Sequence, residues 1–156
     1  MANPLLERLR DRLTVNAPYE GIVAEGYDSW ISVNDELIEE RAYRHLLDDL
    51  DGTILELGCG TGRPLLRWLE LGYDVEGIDA SEDMLAALRR HAAERGLDPV
   101  VHLGDIAPLD LGRTYQALVC PAGTFTLIHD DHDAERAVRS WFDHLTPGGL
   151  LGLTAF

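Results

Sequence analysis

Three carboxylates stand at points in the chain where chemistry is possible. Glu56 lies inside Thr53-Ile54-Leu55-Glu56-Leu57, Asp79 ends Asp74-Val75-Glu76-Gly77-Ile78, and Asp105 follows Val100-Val101-His102-Leu103-Gly104. Each therefore sits in or just after a short apolar run of the kind that forms a buried strand. A carboxylate at such a place can accept hydrogen bonds from hydroxyls and amines or face an ammonium group. Between the first two lies Gly58-Cys59-Gly60-Thr61-Gly62, followed by the helix-like run Pro64, Leu65, Leu66, Trp68 and Leu69. Strand, glycine loop and helix start together suit an anionic or nucleotide-like ligand, because glycine admits close approach and the first helical N–H groups point outward. A dinucleotide fingerprint G-x-G-x-x-G begun at Gly58 would place its third glycine at position 63, which is Arg63.

Two further groups of residues invite a chemical reading. His129-Asp130-Asp131-His132-Asp133 offers imidazole and carboxylate donors in the style of a divalent metal site. The same stretch falls where a helix should begin, and acids in a first turn are favoured by the helix dipole. It is read as a helix start with no metal, and His129 as a candidate general base, since imidazole titrates near neutrality. Cys120 ends an apolar run, but the sequence supplies no base to activate it, so it reads as a small core residue.

The elements that must position these residues follow from periodicity. Leu5, Leu6, Leu9 and Leu13 mark one apolar helical face that Pro18 ends, and a second helix is expected over about 34–50. From Asp51 onward strands and helices alternate, the pattern of a parallel sheet covered on both faces. Strands are expected near 53–57, 74–78, 100–103, 115–120 and 150–156. Helices are expected at about 62–71, from the cap Ser81 to the stop Gly96, and along the face Ala134, Ala137, Val138, Trp141, Phe142 and Leu145. Thr146-Pro147-Gly148-Gly149 reads as the turn into the last strand.

At 156 residues the chain suits a single structural domain, with residues 1–50 as a helical cap segment and 51–156 as the α/β core. Its net charge is −15, with 28 acidic residues against 13 basic ones, all of them arginine. So acidic a surface repels nucleic-acid phosphates and anionic lipid, and no stretch is apolar for the length of a membrane span. No basic-then-apolar leader opens the sequence, and two cysteines suit a reducing compartment, so the expected location is cytoplasmic.

With these elements in place, E-x-G-x-G-x-G over Glu56–Gly62, the acid at Asp79 and the Gly104-Asp105 pair resemble the class I S-adenosylmethionine-dependent methyltransferases. The resemblance implies a doubly wound, Rossmann-like α/β fold of strand order 3-2-1-4-5, and S-adenosylmethionine as cofactor. It implies that Glu56, Gly58, Cys59 and Gly60 hold the methionyl portion, with Arg63 offered to its carboxylate. Asp79 and Ala80 would meet the ribose, Met84 the adenine ring, and Asp105 and Ile106 the adenine amino edge. Pro121 would lie where the methyl meets its acceptor, and Tyr19 and Tyr27 would reach in from the cap. Cys120-Pro121-Ala122-Gly123 departs from the Asn/Asp-Pro-Pro-aromatic motif of enzymes that methylate nucleic-acid bases.

The expected reaction is methyl transfer to an N, O or C nucleophile of a small molecule, with no nucleic-acid or membrane partner. The family's sheet has seven strands, so the C-terminal strands are missing here, and either the chain is truncated or a second copy in a homodimer covers the open edge. Two rivals stand beside this: a module that captures the cofactor without turning it over, and a nicotinamide oxidoreductase, disfavoured by Arg63.

Overall fold

The computed structural model describes residues 19–21, 27 and 38–154. The expected first helix through Leu5–Leu13, the start of the second and the final two residues lie outside the described residues. The elements in chain order are α1 (Ile38–Leu47), β1 (Ile54–Leu57), α2 (Arg63–Glu70), β2 (Val75–Asp79), α3 (Glu82–Glu94), β3 (Val100–Leu103), β4 (Tyr115–Cys120), a 3-10 turn (Thr124–Leu127), α4 (Asp131–Asp143) and β5 (Leu145–Leu153). The strands form one parallel sheet of order β3-β2-β1-β4-β5, as expected. The chain leaves β1 toward β2 in one direction and later returns to β4 on the other side. The crevice beyond the carboxyl ends of β1 and β4 is thus the place where such sheets bind ligands.

Alternation along the strands divides the core in two. Ile54, Val75, Ala117 and Val119 pack with Tyr43, Leu65, Leu66, Trp68, Leu85 and Leu88 from α1, α2 and α3. Leu55, Leu57, Ile78, Leu118 and Cys120 pack on the other face with Ala137 and Trp141 of α4. Both faces of the central strands β2, β1 and β4 are therefore dry, which is why those strands read as nearly continuous apolar runs.

Each helix start has a local cause. Pro64 occupies the first turn of α2, where no N–H is needed. Ser81 caps α3 by accepting the Met84 N–H at 3.2 Å, ahead of Glu82 and Asp83 in the first turn. Asp130 caps α4, its Oδ1 accepting from the N–H of His132 at 2.9 Å and of Asp133 at 3.1 Å.

The last strand differs from expectation. It begins at Leu145 rather than Leu150, and Thr146–Gly149 form an irregularity within it. Tyr115 pairs with Leu145 and Ala117 with Leu150, so the longer β5 segment bulges out, with Gly148 at φ 80°. The Tyr115 N–H, donated to His144 O at 2.8 Å, fixes that early start. Among the described residues no helix is long and apolar enough to cross a membrane.

Candidate active site

A cavity of about 580 Å³ opens over the carboxyl ends of the strands. Every residue singled out from the sequence for cofactor binding lines it. Glu56, Gly58, Cys59 and Gly60 come from β1 and its loop; Asp79, Ala80 and Met84 from β2 and the start of α3; Asp105 and Ile106 from the turn after β3. Pro121 and His129 come from the segment after β4, and Tyr19 and Tyr27 from the N-terminal region.

The glycine loop is shaped by backbone geometry. Gly58, Gly60 and Gly62 have φ of 72°, 51° and 86°, a region that side-chain-bearing residues adopt only with strain. At Gly58 an added Cβ would also strike Thr124 Cγ2, and at Gly62 it would meet Leu88 Cγ at 2.7 Å. The amides of Gly58, Cys59, Gly60 and Gly62 are turned inward. Gly58 and Cys59 donate to Ile78 O at 2.8 and 3.0 Å, Gly62 donates to Cys59 O at 2.9 Å, and Gly60 donates to Asp79 Oδ2 at 2.8 Å. The Leu65 N–H of the first turn of α2 goes to Glu56. A phosphate-binding loop needs those donors for its anion, so this loop suits a nucleoside rather than a pyrophosphate.

The three acids differ in what they already hold. Asp79 is committed to the protein on both oxygens, accepting from Gly60 N–H and, through Oδ1, from Ser81 N–H at 2.9 Å. Burial raises its pKa, and the backbone N–H groups of Ser81, Gly60 and Ala80 oppose that rise. It therefore fastens the glycine loop to β2 while lining the cavity. Asp105 accepts from Ala107 N–H at 2.9 Å, closing a turn that Trp141 Nε1 pins from α4 by donating to Ile106 O at 2.7 Å. Glu56 is only 1% exposed, and its Oε2 has no hydrogen-bond partner among the described residues. Burial pushes its pKa well above the carboxylate range and the nearby Asp79 charge adds to this, with only the Leu65 N–H opposing.

The N-terminal tyrosines come together at the start of α3. Ser81 Oγ donates to Tyr19 O at 2.9 Å, Gly21 N–H donates to Asp83 Oδ2 at 2.7 Å, and the rings of Tyr19 and Tyr27 meet edge to face with centroids 5.5 Å apart. On the other side the segment after β4 is open. His129, Asp130 and His132 are exposed, and Asp130, His132 and Asp133 could each offer one donor atom within 4.8 Å of the others. Asp130 is already spent as the α4 cap, the role the sequence assigned to this stretch. Cys120 is buried with its thiol pushed up to about 12 by burial, so it is a poor nucleophile near neutrality.

Sequence reasoning gave no site role to Tyr43, Trp68 and Arg136, which also line the cavity, as do Thr124 and Asp133 from the two stretches after β4. Tyr43 falls in the expected second helix and Trp68 in the helix-like run after the glycine loop, with nothing local to single them out. The signal available for Arg136 was its place one turn beyond Asp133, with which it pairs at 2.9 Å.

One relative is a Streptomyces venezuelae dTDP-3-amino-3,4,6-trideoxy-α-D-glucopyranose N,N-dimethyltransferase, 33% identical over 99 residues, covering 64% of this chain and 40% of the relative. Another is a Streptomyces fradiae dTDP-3-amino-3,6-dideoxy-α-D-glucopyranose N,N-dimethyltransferase, 29% identical over 140 residues, covering 86% and 53%. Among solved structures, the glycopeptide N-methyltransferase MtfA in complex with S-adenosyl-L-methionine superposes with a TM-score of 0.65 at 29% identity, over 72% of this chain and 52% of that one. The chain thus spans about half the length of the relatives it matches. The sequence profile of the methyltransferase domain matches residues 54–149, from the first residue of β1 to the bulge of β5, and the chain belongs to that family.

Proposed function

We propose that this chain binds S-adenosylmethionine and passes its methyl group to the amine of a small molecule, with an amino sugar as the favoured acceptor class. The observation that carries this reading is the convergence of Glu56, Asp79 and Asp105, from three successive strands, on one cavity whose open side carries His129. The residues fit the cofactor. The inward-turned loop amides leave no cradle for phosphate, and the unpaired Glu56 Oε2 calls for a cation such as an ammonium group. A side chain at Gly60 would come within 3.1 Å of Met84 Cε, narrowing the space beside a methionine surface suited to a base.

When bound, the cofactor supplies an electrophilic methyl on a sulfonium. The chain's own part is to fix both reactants and keep water out. Asp79 and Asp105 accept from ribose hydroxyls and the adenine amino edge, and Tyr19 and Tyr27 close the site from the N-terminal side. An acceptor amine must shed a proton to attack, and His129 is placed to receive it. The acidic lining, which includes Asp130 and Asp133, favours cationic amines over carboxylate acceptors. The amine reading is further supported by the relatives, whose names specify N-methylation of sugars and glycopeptides. The two thiols are free, in keeping with a reducing cytoplasm.

Titration calorimetry with S-adenosylhomocysteine, followed by turnover against amines, phenols and carboxylates including a nucleotide-linked amino sugar, tests the proposal. Transfer to amines is the expected result. Binding with no transfer to any acceptor favours the capture-only module, and binding of NADH in preference removes the assignment. A second copy pairing along β5 is the companion proposal, since Leu150 and Leu153 are 40% and 41% exposed there. A sedimentation mass that stays monomeric at high concentration would dismiss it.

A further inference from the structure

Glu56 has the geometry of a group that must exchange a proton for a cation. It sits on β1 with its side chain 1% exposed, on the sheet face covered by α2. Glu56 lines the cavity; one end of its carboxyl receives the Leu65 N–H, while Oε2 is buried with no partner among the described residues. A bare buried carboxylate oxygen costs several kcal/mol by desolvation, so a neutral carboxyl is the stable form until a cation arrives. The described groups around it cannot serve as that cation's substitute. Asp79 on β2 is a like charge, and Cys59 after β1 and Cys120 on β4 are neutral thiols held so by burial. Tyr43 of α1 lines the cavity, its hydroxyl 2.7 Å from Thr154 Oγ1. Among the described residues, Arg63 of α2 and Arg136 of α4 line the cavity and Arg89 of α3 acts on Cys59, and none of them is a cause lowering the Glu56 pKa.

A second observation concerns the ligand's other pole. Trp68 Nε1, on α2 one turn beyond Leu65, is buried without a partner and its residue lines the same cavity. A buried acceptor and a buried donor, unpaired in two residues that line one cavity, match the two poles of a zwitterion, an ammonium with a carboxylate, better than either charge alone.

We propose that this site binds an amino-acid-bearing nucleoside with the release of one proton: Glu56 is protonated in the empty cavity and gives its proton to solvent as the ligand's ammonium settles beside Oε2. The balance is simple. A neutral carboxyl and an ammonium become a carboxylate–ammonium pair plus one proton taken up by buffer, with no electrons moved. Affinity then rises with pH, by about tenfold per unit over the range in which the empty site is protonated and the occupied one is not. This rests on the functional reading above, and the test separates the two.

The test is titration calorimetry of the full chain with S-adenosylhomocysteine in phosphate and in Tris at one pH near neutrality, the enthalpy difference giving the protons exchanged. The expected values are one proton released with S-adenosylhomocysteine and none with 5′-methylthioadenosine, which lacks the amino acid. Glu56→Gln should abolish the release while the circular dichroism spectrum stays native. Binding of S-adenosylhomocysteine with no proton released, or release undiminished in Glu56→Gln, overturns the linkage and leaves the cofactor assignment standing. If the Gln variant does not fold, the comparison of the two nucleosides on the unaltered protein decides. Binding of neither nucleoside overturns the functional reading and the linkage with it.

Discussion

Two glutamates occupy adjacent strands of the same sheet, both buried, in opposite circumstances. Glu76 of β2 is 6% exposed and faces the α4 side, where it accepts from Arg113 at 2.6 Å, from the Tyr115 hydroxyl at 3.0 Å and lies 2.9 Å from His102 Nε2. Glu56 of β1 faces the α2 side, one register step nearer the carboxyl ends, with one backbone donor and one bare oxygen. The first is a finished polar network that ties β2, β3 and the start of β4 together. The second is unfinished in the free protein, and a cationic ligand would finish it. Burial of a carboxylate thus marks structure in one place and, on the proposed reading, a site in the other, the count of partners distinguishing them.

The largest effect that would break this contrast is at Glu76. Glu76→Ala leaves the buried Tyr115 hydroxyl unpaired, while the half-exposed Arg113 and His102 can turn to water, so a loss of about 2–4 kcal/mol is expected. Urea melts measure the loss, and affinity for S-adenosylhomocysteine should change less than about twofold in the folded fraction, since no cavity residue is touched. A large loss of affinity with little loss of stability would exchange the roles of the two glutamates.

Gly58→Ala comes next, at about 2–3 kcal/mol, from a left-handed backbone and from the new methyl striking Thr124 Cγ2. Here both stability and nucleoside affinity should fall, because the loop lies on the cavity. Adding Thr124→Ala should restore part of the stability by removing the struck methyl. No recovery in the double variant would show that backbone strain alone is responsible.

How much of this was legible in the sequence divides along the same line. The tips at Glu56, Asp79 and Asp105 were readable because each sits in or just after a short apolar run and within two residues of a glycine, a local pattern. The sheet order followed from the alternation of strands and helices. What stayed hidden depends on contacts between distant segments. Asp79 spends both oxygens on Gly60 and Ser81, which only the folded loop reveals. Trp68 reads as one more apolar residue of a helix, since nothing local says its indole nitrogen lacks a partner. The early start of β5 is set by Tyr115 pairing with Leu145, against which the Pro-Gly-Gly turn signal could not compete. Glu76 gave no sign of its three partners, because they lie at positions 102, 113 and 115.

A satisfied carboxylate at the cavity rim gives a smaller effect. Asp130→Ala removes the two hydrogen bonds that cap α4 and should cost about 1 kcal/mol. Nucleoside affinity should be unchanged, and Asp130→Asn, which keeps the cap, should regain the stability. A marked drop in affinity would move Asp130 from the scaffold into the nucleoside site.

The smallest stability effect belongs to Glu56, and its sign carries the information. The folded-state pKa of Glu56 lies above its unfolded value, so from about pH 4.5 upward the unfolded chain gives up a proton that the folded chain keeps. Stability therefore falls as pH rises from the unfolded value to the folded one, and above that the charged, unpaired carboxylate remains as a penalty. Asp79, raised in the same direction, contributes a slope of the same sign that stays in any Glu56 variant. Glu56→Gln removes the larger part, so near neutrality the variant should melt at the same urea concentration as the parent or slightly higher, by up to about 1 kcal/mol. Its stability should also depend less on pH between about 5 and 7. Affinity for S-adenosylhomocysteine should meanwhile fall at least about tenfold, equivalent to about 1.4 kcal/mol. A residue whose loss weakens ligand binding without weakening the fold is held by the ligand and not by the protein. If Glu56→Gln instead destabilises the chain as Glu76→Ala does, then Oε2 has a partner in solution and the two glutamates are alike.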